Sequence, residues 1–187
     1  MSGERIYHML ATENSILIVI DVQGRLVRVM HQRESLVENL RRFISGAVVL
    51  DIPMIVTEQD PEKLGATIPE ISSLLEDVQP IHKSSFSCCK TEAFMEELGR
   101  MKRGQIIIAG VEAHVCVYQT AVDLLHEGYE VHIVTDCTSS RTADNRTLAI
   151  ERMRDEGVKL TGTEMALFEL LKIARGDKFR KISRLVK

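Results

Sequence analysis

The sequence predicts an α/β fold: a three-layer, Rossmann-like sandwich whose mostly parallel central sheet of about six strands carries helices on both faces. Three observations carry this. Short runs rich in β-branched residues alternate with segments of helical apolar periodicity from end to end. Several of the short runs are apolar at every position, as strands buried on both faces must be. No glycine- or proline-rich linker, repeat or low-complexity block divides the 187 residues. A single domain over 1–187 follows, with its core at about 12–175 and a basic tail at 176–187.

The elements follow in order. Strands are predicted at 15–22 (SILIVIDV), 53–59 (PMIVTEQ), 80–85 (PIHKSS), 105–110 (QIIIAG), 129–136 (YEVHIVTD) and 158–163 (VKLTGT). Between the first two, Leu36, Val37, Leu40, Phe43, Ile44, Ala47 and Val48 form one helical stripe, a crossover helix. Further helices are expected at 91–102, from Val115 to His126 with Gly128 closing it, at 142–157 with the same ending in glycine, and at 164–175. The segment 58–71, with Pro61, Gly65 and Pro69, reads as a long functional loop, and the tail as solvated or subunit-contacting.

A net charge of −3 gives no general attraction to nucleic acid or anionic lipid. The longest apolar run in a strand, residues 16–20, is far too short to span a bilayer, so no membrane role is expected. Four cysteines without an N-terminal apolar segment indicate a reducing, cytoplasmic setting, and the sequon at 145–147 is then a chance match.

Reactive groups in open α/β sheets collect beyond the carboxyl ends of the strands. Asp21, Lys83 and Cys116 each stand at or just past the end of a different predicted strand. Singly, each has an ordinary reading: a helix N-cap, a surface lysine, an inert core thiol. Together they have complementary roles. A lysine cation and a helix N-terminus favour a thiolate, lowering the Cys116 pKa, and Asp21 serves as general base and acid.

These segments, LIVIDVQ with Asp21, HKSSFS with Lys83 and AGVEAHVCVYQTAVD with Cys116, resemble those of the isochorismatase-like cysteine hydrolases, over roughly residues 12–175. The resemblance implies an Asp21–Lys83–Cys116 triad in which the cysteine attacks a carbonyl, usually of an amide, to form an acyl-enzyme. It also implies a non-proline cis peptide at Val111–Glu112, an oxyanion hole from the backbone N–H groups of Glu112 and Cys116, no cofactor, and a homo-oligomer. VTEQDPEKLGATIPEI resembles the isochorismatase-domain-containing subgroup. The Asp-x-His metal site of nicotinamidases is missing from this stretch, and true isochorismatases lack the cysteine present here. By position, Val22, Gln23, Thr57, Phe86, Glu112 and Tyr118 bound a pocket for a small amide, with Glu58 near its mouth.

Other groups carry less. Glu58, Asp60 and His82 lack the spacing of a closed metal site, so no metal is expected. His114 reads as a turn residue rather than a partner of Cys116, and Cys88 and Cys89 as packing residues without C-x-x-C spacing. Cys137 reads as structural or crevice-lining and Asp136 as a helix cap. Neither a G-x-G-x-x-G nor a G-x-x-x-x-G-K-[ST] motif occurs, which removes the nucleotide-binding signatures. The alternative to an enzyme is a catalytically silent oligomeric scaffold on the same fold.

Overall fold

The computed structural model describes residues 9–187, so residues 1–8 of the expected span lie outside the described residues. In chain order the elements begin with β1 (Ser15–Ile20), α1 (Gly24–Val27), α2 (Arg33–Val49), β2 (Met54–Gln59), α3 (Pro61–Leu64), α4 (Pro69–Ser72) and β3 (Ile81–Lys83). They continue with α5 (Glu92–Met101), β4 (Gln105–Val111), α6 (Tyr118–His126), β5 (Glu130–Ser139), α7 (Ala143–Asp155), β6 (Lys159–Thr161), α8 (Thr163–Leu171) and α9 (Gly176–Leu185). The six strands pair in the order β3-β2-β1-β4-β5-β6, and every pairing is parallel.

Alternation along the central strands divides the core in two. Leu17 and Val19 of β1 and Ile107 and Ala109 of β4 face one layer, packed against Leu40 and Phe43 of α2, Leu167 of α8 and Ile182 of α9. Ile16, Ile18 and Ile20, with Ile106 and Ile108, face the other, against Phe94 of α5, Leu124 of α6 and Met153 of α7. Both faces of β1 and β4 are therefore dry, which is why these strands read as unbroken apolar runs.

The strand order reverses direction between β1 and β4. A crevice opens outside their carboxyl ends, the usual place for a site in such sheets. The two strands approach closely at that point. Ile20 pairs with Gly110, which has φ 127°, and a Cβ there would stand 2.1 Å from the Ile20 carbonyl oxygen. Only glycine fits, because the obstruction is backbone.

The structure departs from the sequence reading in four places. The 58–71 connection is not a bare loop but carries α3 and α4, each opened by a proline suited to a first helical turn. The fifth strand runs on to Ser139, because its register against β4 shifts between Ile108 and Gly110. Val48, assigned to the apolar stripe of α2, is 48 % exposed. The basic tail is a helix, α9, whose Ile182 is fully buried against α2 and α8.

Ile182→Ala should therefore cost about 2–5 kcal/mol in denaturant unfolding, whereas exposed Lys181→Ala should stay within about 0.5 kcal/mol. Equal, small losses would show that α9 is only loosely attached.

Candidate active site

Parallel register brings three strand ends together. Thr57 lies beside Ile20, and Lys83 beside Gln59. Asp21, directly after β1, has φ 52°, and its N–H donates to the Thr57 carbonyl at 3.1 Å. That left-handed turn ends the strand and leaves the carboxylate inside, fully buried.

Lys83 reaches the same point from β3. Its Nζ donates to Asp21 Oδ2 at 2.7 Å, and both side chains are fully buried. Burying two charges is costly unless their remaining hydrogen-bonding positions are filled. Here they are. Nζ also donates to Gln59 Oε1 at 2.8 Å and to the Ser85 and Phe86 carbonyls at 3.2 and 3.3 Å. The other carboxylate oxygen, Oδ1, accepts from Thr57 Oγ1 at 2.8 Å.

Cys116 arrives from β4. The Val111–Glu112 peptide is cis, and a tight turn, Ala113–Val117, follows it and leads into α6. The N–H groups of Val115 and Val117 both donate to the Glu112 carbonyl, at 3.0 and 3.2 Å. Cys116 is only 6 % exposed, and it lies close enough to Asp21 for that carboxylate to act on its thiol.

Electrostatics correct one expectation. The reading that Lys83 would bring the thiol pKa down is reversed: burial first, and then the negative charge of Asp21, push Cys116 up to about 12. The Lys83 cation acts in the expected sense but is outweighed. Burial is the largest single influence on Lys83 and opposes its charge, but Asp21, with smaller contributions from Cys116 and Cys88, outweighs it, so the ammonium holds its proton more tightly than an ordinary lysine. The resting site is a neutral thiol beside a buried ion pair.

The positions expected to bound a pocket separate into two groups. Gln23 is spent on structure: its amide donates to the Gln59 and Gly65 carbonyls at 3.0 and 2.5 Å and accepts from the Gln59 N–H at 2.7 Å. Thr57 orients Asp21, and Val22 is buried core. Phe86 and Tyr118 instead line an open groove of about 310 Å³ whose lining does not include the triad. Glu112 is held at the rim by Arg141, at 2.9 Å.

Two groups escaped the sequence reading. Gln59 grips Lys83, and its own Nε2 donates to the Ser84 carbonyl at 2.8 Å, so its amide links β2 to the loop after β3. Cys88, read as packing alone, is fully buried beside the ion pair, and burial pushes its thiol up to about 11. The only signal for Gln59 was a polar residue at the end of an apolar strand.

The remaining candidates lie apart. His114 Nδ1 meets Ser140 Oγ at 2.9 Å. Glu58 accepts from the Thr67 N–H and hydroxyl at 2.7 and 2.8 Å, and its other oxygen lies 3.4 Å from His82, while Asp60 faces Lys63. Among the described residues no group of three or more His, Cys, Asp or Glu side chains is placed to hold a metal ion. Asp136 caps α8 from a distance, accepting from the Thr163 N–H at 2.9 Å, and buried Cys137 lies 3.1 Å from the Thr163 hydroxyl. Also among the described residues, no helix is long and apolar enough to cross a membrane.

Comparison with known proteins places this chain among relatives. Residues 15–165 match the isochorismatase domain family model. Isochorismatase domain-containing protein 2 of Danio rerio is 39 % identical over 178 residues, covering 95 % of this chain and 89 % of that protein. The secreted isochorismatase effector Isc1 of Phytophthora sojae is 38 % identical over 182 residues, covering 95 % and 87 %. Among solved structures, MAR1 ribonuclease from Caenorhabditis elegans superposes with a TM-score of 0.90 at 35 % identity, covering 96 % of this chain and 92 % of that one.

Two outcomes test the site's energetics. Lys83→Met leaves a carboxylate unpaired in a dry site and should cost about 3–5 kcal/mol in denaturant melts, partly restored by adding Asp21→Asn; losses that simply add would contradict the pairing. The pH dependence has a definite sign. A thiol whose folded pKa is raised contributes stability in full below its unfolded pKa, near 9, and loses it as pH rises toward about 12. Lys83, raised above 10.5, acts in the same direction. Stability should fall across this alkaline window, less steeply in Cys116→Ala, and an unchanged slope in that variant would contradict the assignment.

Proposed function

The chain belongs to the isochorismatase family, and from that premise we propose that it is a metal-independent cysteine hydrolase acting on a small amide or related C–N bond. One observation carries the reading: the Lys83 ammonium is bonded to Asp21 in a buried ion pair, and the same carboxylate acts electrostatically on the neighbouring Cys116 thiol.

The raised thiol pKa defines how such a site works. A preformed thiolate is not its nucleophile. As sulfur attacks the carbonyl carbon, Asp21 takes the thiol proton, so the S–C bond forms while the C=O electron pair moves onto oxygen. The N–H groups of Glu112 and Cys116 serve as donors to that oxyanion. Collapse breaks the C–N bond, and Asp21 returns the proton to the leaving nitrogen. Water, deprotonated by the same carboxylate, then attacks the thioester and releases the acid and the thiol. Lys83 keeps its proton throughout and holds Asp21 charged and in place.

A second reading has one observation in its favour. Cys116 is only 6 % exposed, as it would be in a silent scaffold that retains the triad but admits no substrate.

Cys116→Ala should abolish ammonia release from a panel of small amides while preserving the far-UV spectrum and the cooperative melt. Intact mass separates the two readings: an acyl adduct on wild-type protein, absent from Cys116→Ala, supports hydrolysis, and no adduct or turnover with any amide supports the scaffold.

A further inference from the structure

We infer that the groove between Phe86 and the outer face of α6 receives an uncharged aromatic or alkyl portion of the substrate, so that the substrate is a substituted amide rather than a bare one. This rests on the reading of Cys116 as the nucleophile. Three features of the groove lead to it.

The first is continuity with the reacting centre. One wall is the loop whose Ser85 and Phe86 carbonyls accept from Lys83 Nζ. The other is α6, which begins at Tyr118, two residues after the thiol. Both walls are thus continuations of the segments that carry Lys83 and Cys116.

The second is the fixed exposure of Phe86. Ser85 Oγ donates to the Ser87 carbonyl at 2.9 Å, Ser87 Oγ donates to Asp123 at 2.7 Å, and the Cys88 N–H donates to Thr120 Oγ1 at 3.0 Å. These bonds pin the loop on both sides of Phe86. Phe86 itself stays 54 % exposed between these tethered neighbours. Opposite it, the Tyr118 ring is steadied by the Arg152 guanidinium, 4.6 Å from its centroid.

The third is charge. Lys90 and Asp123, which line the groove with Gln119 and Val122, lie 3.4 Å apart and neutralise one another. A charged occupant finds no free counter-ion in this pair, whereas an apolar one gains contact with Phe86, Tyr118 and Val122. The volume, about 310 Å³, equals roughly ten waters and lies at the small end of ligand pockets. It suits a single ring or short alkyl chain.

Acylation of Cys116 by S-methyl thioacetate and by the benzyl-bearing S-methyl phenylthioacetate, both attacked at a carbonyl, tests the groove directly. It is followed as methanethiol release that Cys116→Ala abolishes, located by peptide mass spectrometry after acid quench, and normalised for each reagent to free cysteine. The benzyl reagent should be favoured about tenfold at Cys116, and Phe86→Ala or Val122→Asp should return the ratio to that of free cysteine. A ratio of one in wild type overturns the groove and leaves the nucleophile standing. Labelling of Cys116 by neither reagent, while Cys89 or the unfolded chain is labelled, overturns the nucleophile and the groove with it. Benzamide titrated into Cys116→Ser protein provides a readout independent of the thiol: methyl shifts at Val122 support the groove, and none at saturating benzamide overturns it.

Discussion

The ion pair between Lys83 and Asp21 is the constraint around which the carboxyl end of the sheet is arranged. Neither side chain has any exposure, so the penalty for removing both from water is met entirely by protein groups. Meeting it requires β1, β2, β3 and the loop after β3 to converge. Asp21 comes from the first, Thr57 and Gln59 from the second, Lys83 from the third, and the Ser85 and Phe86 carbonyls from the loop. Positions of several polar atoms are thereby fixed by one electrostatic requirement. The parallel register of the sheet supplies the rest.

The same pair controls the thiol. A lysine near a cysteine is often read as a device for ionising it, but an ammonium already bonded to a carboxylate offers little net charge to a third group. Cys116 therefore experiences burial and the Asp21 carboxylate more than the Lys83 cation, and its proton stays on sulfur. In the mechanism proposed above, the nucleophile is generated only as the proton moves to Asp21.

Much of the fold was legible because its determinants are local and periodic. The runs at 16–20 and 105–110 read as strands dry on both faces, and Asp21, Lys83 and Cys116, ordinary when taken singly, stood out as a set at or just past the ends of three different strands. What escaped was set by partners distant in sequence. Gln23 looked like a pocket residue, yet its partners Gln59 and Gly65 lie 36 and 42 positions away. The tail looked solvated because its basic residues outnumber its apolar ones; Ile182 finds burial against α8 and against α2, the latter more than a hundred residues earlier. The sign of the Cys116 shift was unreadable for a related reason. Proximity to a lysine can be guessed from strand ends, but the desolvation that outweighs it exists only once the chain is packed.

The high proton affinity of the buried thiols has a consequence for oxidative damage. Hydrogen peroxide and disulfides react with thiolates, and selectively with exposed ones. Burial raises the proton affinity of Cys116, to a pKa of about 12, and of Cys88, Cys89 and Cys137 as well, so each stays a thiol at neutral pH. A cysteine enzyme with a standing thiolate is open to sulfenic acid formation whenever its site is empty. Under the proposed mechanism, in which the sulfur loses its proton only as it attacks a carbonyl, the resting thiol would be sheltered between turnovers, and its slow reaction would double as chemical protection.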